Sequence, residues 1–163
     1  MKSKARAFTI CAMALLLTSL AGCVNNLINK GNISNNAPPA TTVNGTSTAT
    51  TLDSYKRDLA HRIAAANSSS IYTGHPQALL RAVIVLKFYI DAEGRLLRTE
   101  IIRTNKDLAA EAVALSSVKS AAPFPKPESR LLRRGEVEIS ESWLFNNDGR
   151  FQLRSIAEAQ MGE

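Results

Sequence analysis

The sequence predicts a small α+β domain, an antiparallel sheet of three to four strands packed against two helices in the order α-β-β-α-β, with a last short run that can add a fourth strand. Three observations carry this expectation. Ala82, Ile84, Leu86, Phe88 and Ile90 alternate with Val83, Val85, Lys87 and Tyr89, the period of two that extended backbone imposes. Asp91-Ala92-Glu93-Gly94 follows at once with the residue types of a tight loop, and Leu97, Thr99 and Ile101 return on the same face. Apolar residues at helical spacing lie on either side of this hairpin.

In chain order, Leu52, Tyr55, Leu59 and Ile63 form the stripe of a first helix, with Thr51 or Asp53 to cap it and the polar run Asn67 to Ser70 after it. The hairpin comes next, and its first strand, the most apolar on both faces, suits the centre of a sheet. Thr104, Asn105 and Asp107 mark the start of a second helix, whose stripe is expected to be Leu108, Ala112, Leu115 and Val118. Pro123-Phe124-Pro125-Lys126-Pro127 cannot continue it, because proline removes backbone donors and fixes φ, so an extended connector is expected. Val137, Ile139, Trp143 and Phe145 then alternate as a third strand. Asn146 to Arg150 turn the chain into Phe151, Leu153 and Ile156, which can fold back along it.

The region before this domain speaks of location. Lys2, Lys4 and Arg6 precede a short apolar segment, Phe8 to Leu20, interrupted by Thr18 and Ser19 and followed by Gly22, the layout of a secretory signal rather than of a membrane span. It ends in Leu20-Ala21-Gly22-Cys23, which resembles a bacterial lipobox: small residues before a cysteine whose thiolate is nucleophilic enough to accept a diacylglyceryl group. The expected organisation is a signal peptide over 1–22, a lipidated Cys23 with a tether over 23–51, a folded domain over 52–157 and a polar tail over 158–163. Cys11 would leave with the signal, so the mature chain could form no internal disulfide. Several acyl chains on one cysteine anchor a protein stably, and Val24 after it, where enterobacterial lipoproteins kept at the inner membrane carry Asp, points by resemblance to the outer membrane, facing the periplasm. The tether is rich in Asn, Thr, Ser, Ala and Gly and spans about 30 Å as a coil.

The formal charge of +6 does not indicate nucleic acid. Three of the basic residues lie in the signal, which leaves 17 Lys/Arg against 14 Asp/Glu and a net +3. Arg130-Leu131-Leu132-Arg133-Arg134 is the tightest basic cluster and reads as a solvated loop. His61 and His75 have no partner at metal-ligand spacing, and no nucleophile motif is present, so no catalytic residue, metal or cofactor is expected. Glu136, Glu138 and Glu141 read as a charged strand face rather than an acid/base pair, and Trp143 as core.

The domain resembles the C-terminal domain of the TonB family, which shares its fold with that of TolA. The resemblance is carried by Tyr55, Leu59 and Ile63; Val85, Phe88 and Ile90-Asp91; Glu93-Gly94-Arg95; Leu115 and Val118; Pro123-Phe124-Pro125; and Trp143 with Phe145. It implies a binding module whose third strand pairs with an extended segment of a protein partner. The inner-membrane helix and long proline-rich segment of TonB-type transducers have no counterpart in this sequence. The expected function is therefore that of a non-enzymatic envelope lipoprotein that binds a protein partner at the outer edge of its third strand, at Glu138, Ser140 and Ser142. Two alternatives stand beside it: an accessory energy transducer for outer-membrane transport, and a structural or assembly lipoprotein of a secretion or surface complex. Neither nucleic acid nor a small-molecule substrate is expected.

Overall fold

The computed structural model describes residues 45–160. The signal segment, Cys23 and the tether as far as residue 44 lie outside the described residues. The elements are α1 (Leu52–Ala66), β1 (Ala82–Asp91), β2 (Leu96–Arg103), α2 (Leu108–Ala121), β3 (Glu136–Phe145) and β4 (Phe151–Leu153), with short 3-10 turns at Ser68–Ser70 and Ser129–Leu131. The four strands form one antiparallel sheet in the order β2-β1-β3-β4. The architecture is thus the expected α+β one, with β1 central and the fourth strand formed.

Local chemistry sets the element ends. Thr51 caps α1 by accepting from the Ser54 amide while the Ser54 side chain accepts from the Thr51 amide, so two orphan donors are satisfied together. Asp107 caps α2 by accepting from the Ala110 amide. At the hairpin, Asp91 Oδ1 accepts from the amides of Glu93 and Arg95 at 3.0 and 2.8 Å, and Arg95 Nε donates to Oδ2 at 2.6 Å. Burial raises the Asp91 carboxyl pKa, but these hydrogen bonds from Arg95 and Glu93 outweigh it and hold the group below the usual range.

The core lies between the sheet and the two helices. Ala82, Ile84, Leu86, Phe88 and Ile90 all point into it, as the alternation predicts, with Val137, Ile139, Trp143 and Phe145 from β3 and Tyr55, Leu59 and Ile63 from α1. Trp143 is fully buried and its indole N–H donates to Ser117 Oγ at 2.9 Å. The connector and the hairpin turn meet directly: the Phe124 amide donates to the Gly94 carbonyl at 2.9 Å and the Phe124 ring stacks on Phe88. The Tyr55 hydroxyl donates to the Pro125 carbonyl at 2.7 Å, which locks the same connector onto α1.

Four expectations need correction. β1 and β2 pair with register shifts at Val85/Leu86 and Tyr89/Ile90, so Leu96 faces Ile90 while Leu97 stays 48% exposed; a bulge changes which residue faces the core. On α2 the buried residues are Ala110, Ala114, Ser117, Val118 and Ala121, whereas Leu108 is 77% exposed. Small residues there face the core, Leu115 packs at its margin, and Leu108 in the first turn is left outside. Glu141 is not on the charged strand face with Glu136 and Glu138, since it lies opposite Leu86 on the core side and is buried. Finally, the fold begins before Leu52. The Lys126 amide donates to the Gly45 carbonyl, the Ser47 amide donates to the Lys126 carbonyl, Ser47 Oγ bonds Asp58, and Ala49 joins the core. Residues 45–49 are thus tied to the domain through the connector, α1 and the core.

Candidate functional site, the outer edge of the third strand

In an antiparallel strand the N–H and C=O of one residue point to the same side, and the side alternates along the chain. On β3 the residues that point away from β1 are Glu136, Glu138, Ser140, Ser142 and Leu144. Arg133 and Glu136 exchange backbone hydrogen bonds, at 2.7 and 3.2 Å, and the Arg154 amide donates to the Ser142 carbonyl at 2.9 Å. β4 then covers Trp143 to Phe145, and the Tyr72 amide, donating to Phe151, shields the outer side of β4 in turn. The last run does fold back through the Asn147-Asp148-Gly149 turn, but it covers the edge only as far as Ser142.

Between these two ends lies an open lane. Glu138 and Ser140 are exposed, and no backbone group among the described residues pairs with their outward amides and carbonyls. Ser142, expected to belong to the lane, does not. Its carbonyl is taken by Arg154 and its amide donates to Glu141 Oε1 at 2.7 Å. The lane is therefore about five residues long, the stretch opposite residues 137 to 141, or about 17 Å.

Glu141 closes this lane from within. Its carboxyl accepts from Ser142 and from Ser155 Oγ while lying in the core, 2% exposed. Burial raises its pKa, although the Ser155 hydrogen bond and the charge of Lys56 partly offset the effect. A raised folded-state value means that stability is fullest where the carboxyl is protonated in both states, and is lost as pH rises above the unfolded value of about 4.3. Glu141→Gln should therefore match the wild type at acid pH and become the more stable protein toward neutral pH. Thermal melts across that range check this, and parallel pH profiles for the two proteins would contradict it.

Beside the lane the chain forms a groove of about 510 Å³ lined by Leu52, Tyr89, Arg130, Leu131, Arg133, Arg134, Glu136, Val137 and Glu138. The basic cluster is thus one wall of the groove at the strand edge. Its Arg133–Glu136 corner is a two-residue turn with both central residues at positive φ, Arg134 at 55° and Gly135 at 83°. Both carboxylates in the groove are already engaged. Arg98 reaches over the Tyr89 ring to make two 2.9 Å hydrogen bonds to Glu136, and Lys87 meets Glu138 at 3.1 Å. Hydrogen bonding to Arg98 lowers the Glu136 pKa.

The other sheet edge is of a different kind. β2 is bulged twice against β1, while β3 holds an unbroken register with β1 over ten residues. Bulges are a common device for discouraging edge pairing, so β3 is the edge that can accept a strand.

The remaining candidate residues do not join the edge. His75 is exposed and bonds Ala159 and Glu158, and His61 lies half-buried on α1 with Nε2 lacking a partner, its pKa lowered by burial. Among the described residues no group of three His, Cys, Asp or Glu side chains could hold a metal ion, and no helix is long and apolar enough to cross a membrane. No protein-family model, curated protein or solved structure matches the chain. The capped ends of the lane, Arg133 and Arg154, are what sequence reasoning missed; both are strand pairings across a turn, and neither leaves a periodic signal.

Proposed function

We propose that this protein is a lipid-anchored envelope protein, held by Cys23 in the outer membrane and facing the periplasm, whose domain binds a protein partner by strand addition at Glu138 and Ser140. The observation that carries this reading is the open lane on β3: regular, exposed backbone bounded at both ends by the chain itself, next to a groove that can receive side chains. A natural edge left long and regular is an aggregation hazard unless it has a use. The resemblance of the sequence to TonB-family domains supports the same edge.

Ser140→Pro tests the reading. The Ser140 amide points outward, so proline removes a donor to the partner while costing β3 no bond to β1. The variant should melt within a few degrees of the wild type and no longer co-purify with the envelope partner of the native lipidated protein. A folded variant that retains the partner contradicts the proposal. The anchor is tested separately: Cys23→Ala should abolish incorporation of labelled fatty acid and leave the signal uncleaved, and normal labelling would overturn the localisation.

A further inference from the structure

The end of the domain where β1 begins carries two leucines that lie mostly in solvent. Leu79, in the loop that leads into β1, is 80% exposed, and Leu108, in the first turn of α2, is 77% exposed. The two loops are braced against each other: Arg81 Nε donates to Asp107 Oδ2 at 2.7 Å, and Asn105 Nδ2 donates to the Arg81 carbonyl at 3.1 Å. Thr104 Oγ1 accepts from the Lys106 amide at 2.8 Å, which fixes the loop between them, and Ile102 stands half exposed at the end of β2 just before it. Single exposed leucines are ordinary, but two held out on braced loops at one tip form a surface.

The same tip carries uncompensated positive charge. Arg103 and Lys106 are exposed and make no ion pair among the described residues. The carboxylates near them are engaged: Asp107 is held by Arg81, Glu111 accepts from the Thr104 hydroxyl at 2.6 Å, and Asp148 on the β3–β4 turn is paired with Arg150 at 2.7 Å. Apolar tips flanked by cations suit the boundary of an anionic bilayer, with leucine among the upper acyl chains and the cations at the level of the phosphates. The buried centre of a protein interface is instead depleted of charge, whereas here the cations stand beside the leucines.

We infer that this tip is a reversible docking surface for an anionic lipid bilayer, seated by Leu79 and Leu108 and steered by Arg103 and Lys106. The inference goes beyond binding at the strand edge and takes from that reading only that a membrane is at hand. The chain enters the domain at the opposite end of the sheet, where Lys126 bonds Gly45 beside the contact of Phe124 with Gly94, and the ten residues of β1 put about 30 Å between the two ends. Residues 24–44 can reach at most about 70 Å, so the length of chain allows a lipid on Cys23 and the leucine tip to meet one bilayer together. The domain would then be held at two points, and the β3 edge would lie between them rather than against the lipid.

The test uses the full-length lipidated protein on vesicles of phosphatidylcholine alone or mixed with phosphatidylglycerol. An environment-sensitive fluorophore is attached at Ala78→Cys or Ala109→Cys, both exposed beside the leucines, or at Glu93→Cys on the hairpin turn at the other end. The first two labels should pass into a less polar environment on phosphatidylglycerol vesicles and stay in water on phosphatidylcholine, while the label at position 93 stays in water on both. Leu79→Ser with Leu108→Ser should lower the seated fraction about tenfold or more without changing the melting temperature, since both side chains already face solvent. Arg103→Gln with Lys106→Gly should lower it severalfold and remove its dependence on salt, glycine being suited to the φ of 68° at position 106. Flotation with phosphatidylcholine vesicles reports the Cys23 anchor separately, so its loss alongside an intact shift on phosphatidylglycerol overturns the anchor and supports the tip. Labels at positions 78 and 109 that stay in water while the protein floats with anionic vesicles overturn the inference. An equal shift from all three labels overturns it as adsorption without orientation, and a shift that appears only with a co-purified protein overturns it in favour of a protein surface.

Discussion

Gly94→Ala is expected to cost the domain about 3 kcal/mol or more, a large part of the 5–15 kcal/mol that holds a domain of this size together. Gly94 sits at φ 83°, where a side chain is strained, and a Cβ there would lie 2.2 Å from the Phe124 carbonyl oxygen. That atom belongs to the backbone of the connector, so it cannot swing aside as a flexible side chain would. Moving it would disturb the 2.9 Å bond from the Phe124 amide to the Gly94 carbonyl, the Phe124–Phe88 stack and the bond from Tyr55 to the Pro125 carbonyl together. Denaturant titration should show a large fall in midpoint. A shift no greater than that of an ordinary surface substitution would mean that the turn and the connector are not in contact.

Leu86→Ala should cost about 2–5 kcal/mol, because Leu86 is fully buried at the centre of β1 and truncation leaves a cavity the neighbouring β3 and helices can fill only in part. Leu97→Ala is its counterpart. Leu97 lies at the β2 bulge and is half exposed, so its loss should stay within about 0.5 kcal/mol. Similar effects for the two leucines would contradict the observed register of the hairpin. A truncated protein for such measurements should begin before Gly45, since a start at Leu52 removes Ser47 and Ala49 from the core region they fill.

The sequence carries these parts of the fold unequally. The core face of β1, the caps at Thr51 and Asp107, and the break at Pro123 to Pro127 are all legible, because each is a local matter of period, side-chain oxygen or missing amide. Leu97 misled because a one-residue bulge shifts the faces beyond it, and a bulge is a property of the strand pair rather than of either strand. Leu108 misled because helical spacing alone favours the larger residue, whereas close packing chose Ala110, Ala114 and Ser117. Glu141 follows the alternation of β3 faithfully. Its charge argued against the core, and the hydrogen bonds from Ser142 and Ser155 that make the position tolerable cannot be read from composition.

The site was legible to the same degree. Glu138 and Ser140 follow from the strand order, which the central apolar strand already suggests. Ser142 was lost to the lane through contacts with Glu141 and Arg154. The basic cluster Arg130 to Arg134 reads as a solvated loop in one dimension and becomes a groove wall only when the Arg133–Glu136 turn folds it against the strand edge.

Arg98, although on the far strand, is a poor reference position for mapping this edge, since its side chain crosses Tyr89 to reach Glu136. Ile102 on β2, half exposed, serves instead. The most direct test of the binding edge is therefore a photo-crosslinking amino acid placed in live cells at Glu138, at Ser140 and at Ile102. The lane account predicts a discrete protein adduct from Glu138 and Ser140 and none from Ile102. Adducts from Ile102 alone, or from none of the three, would contradict it.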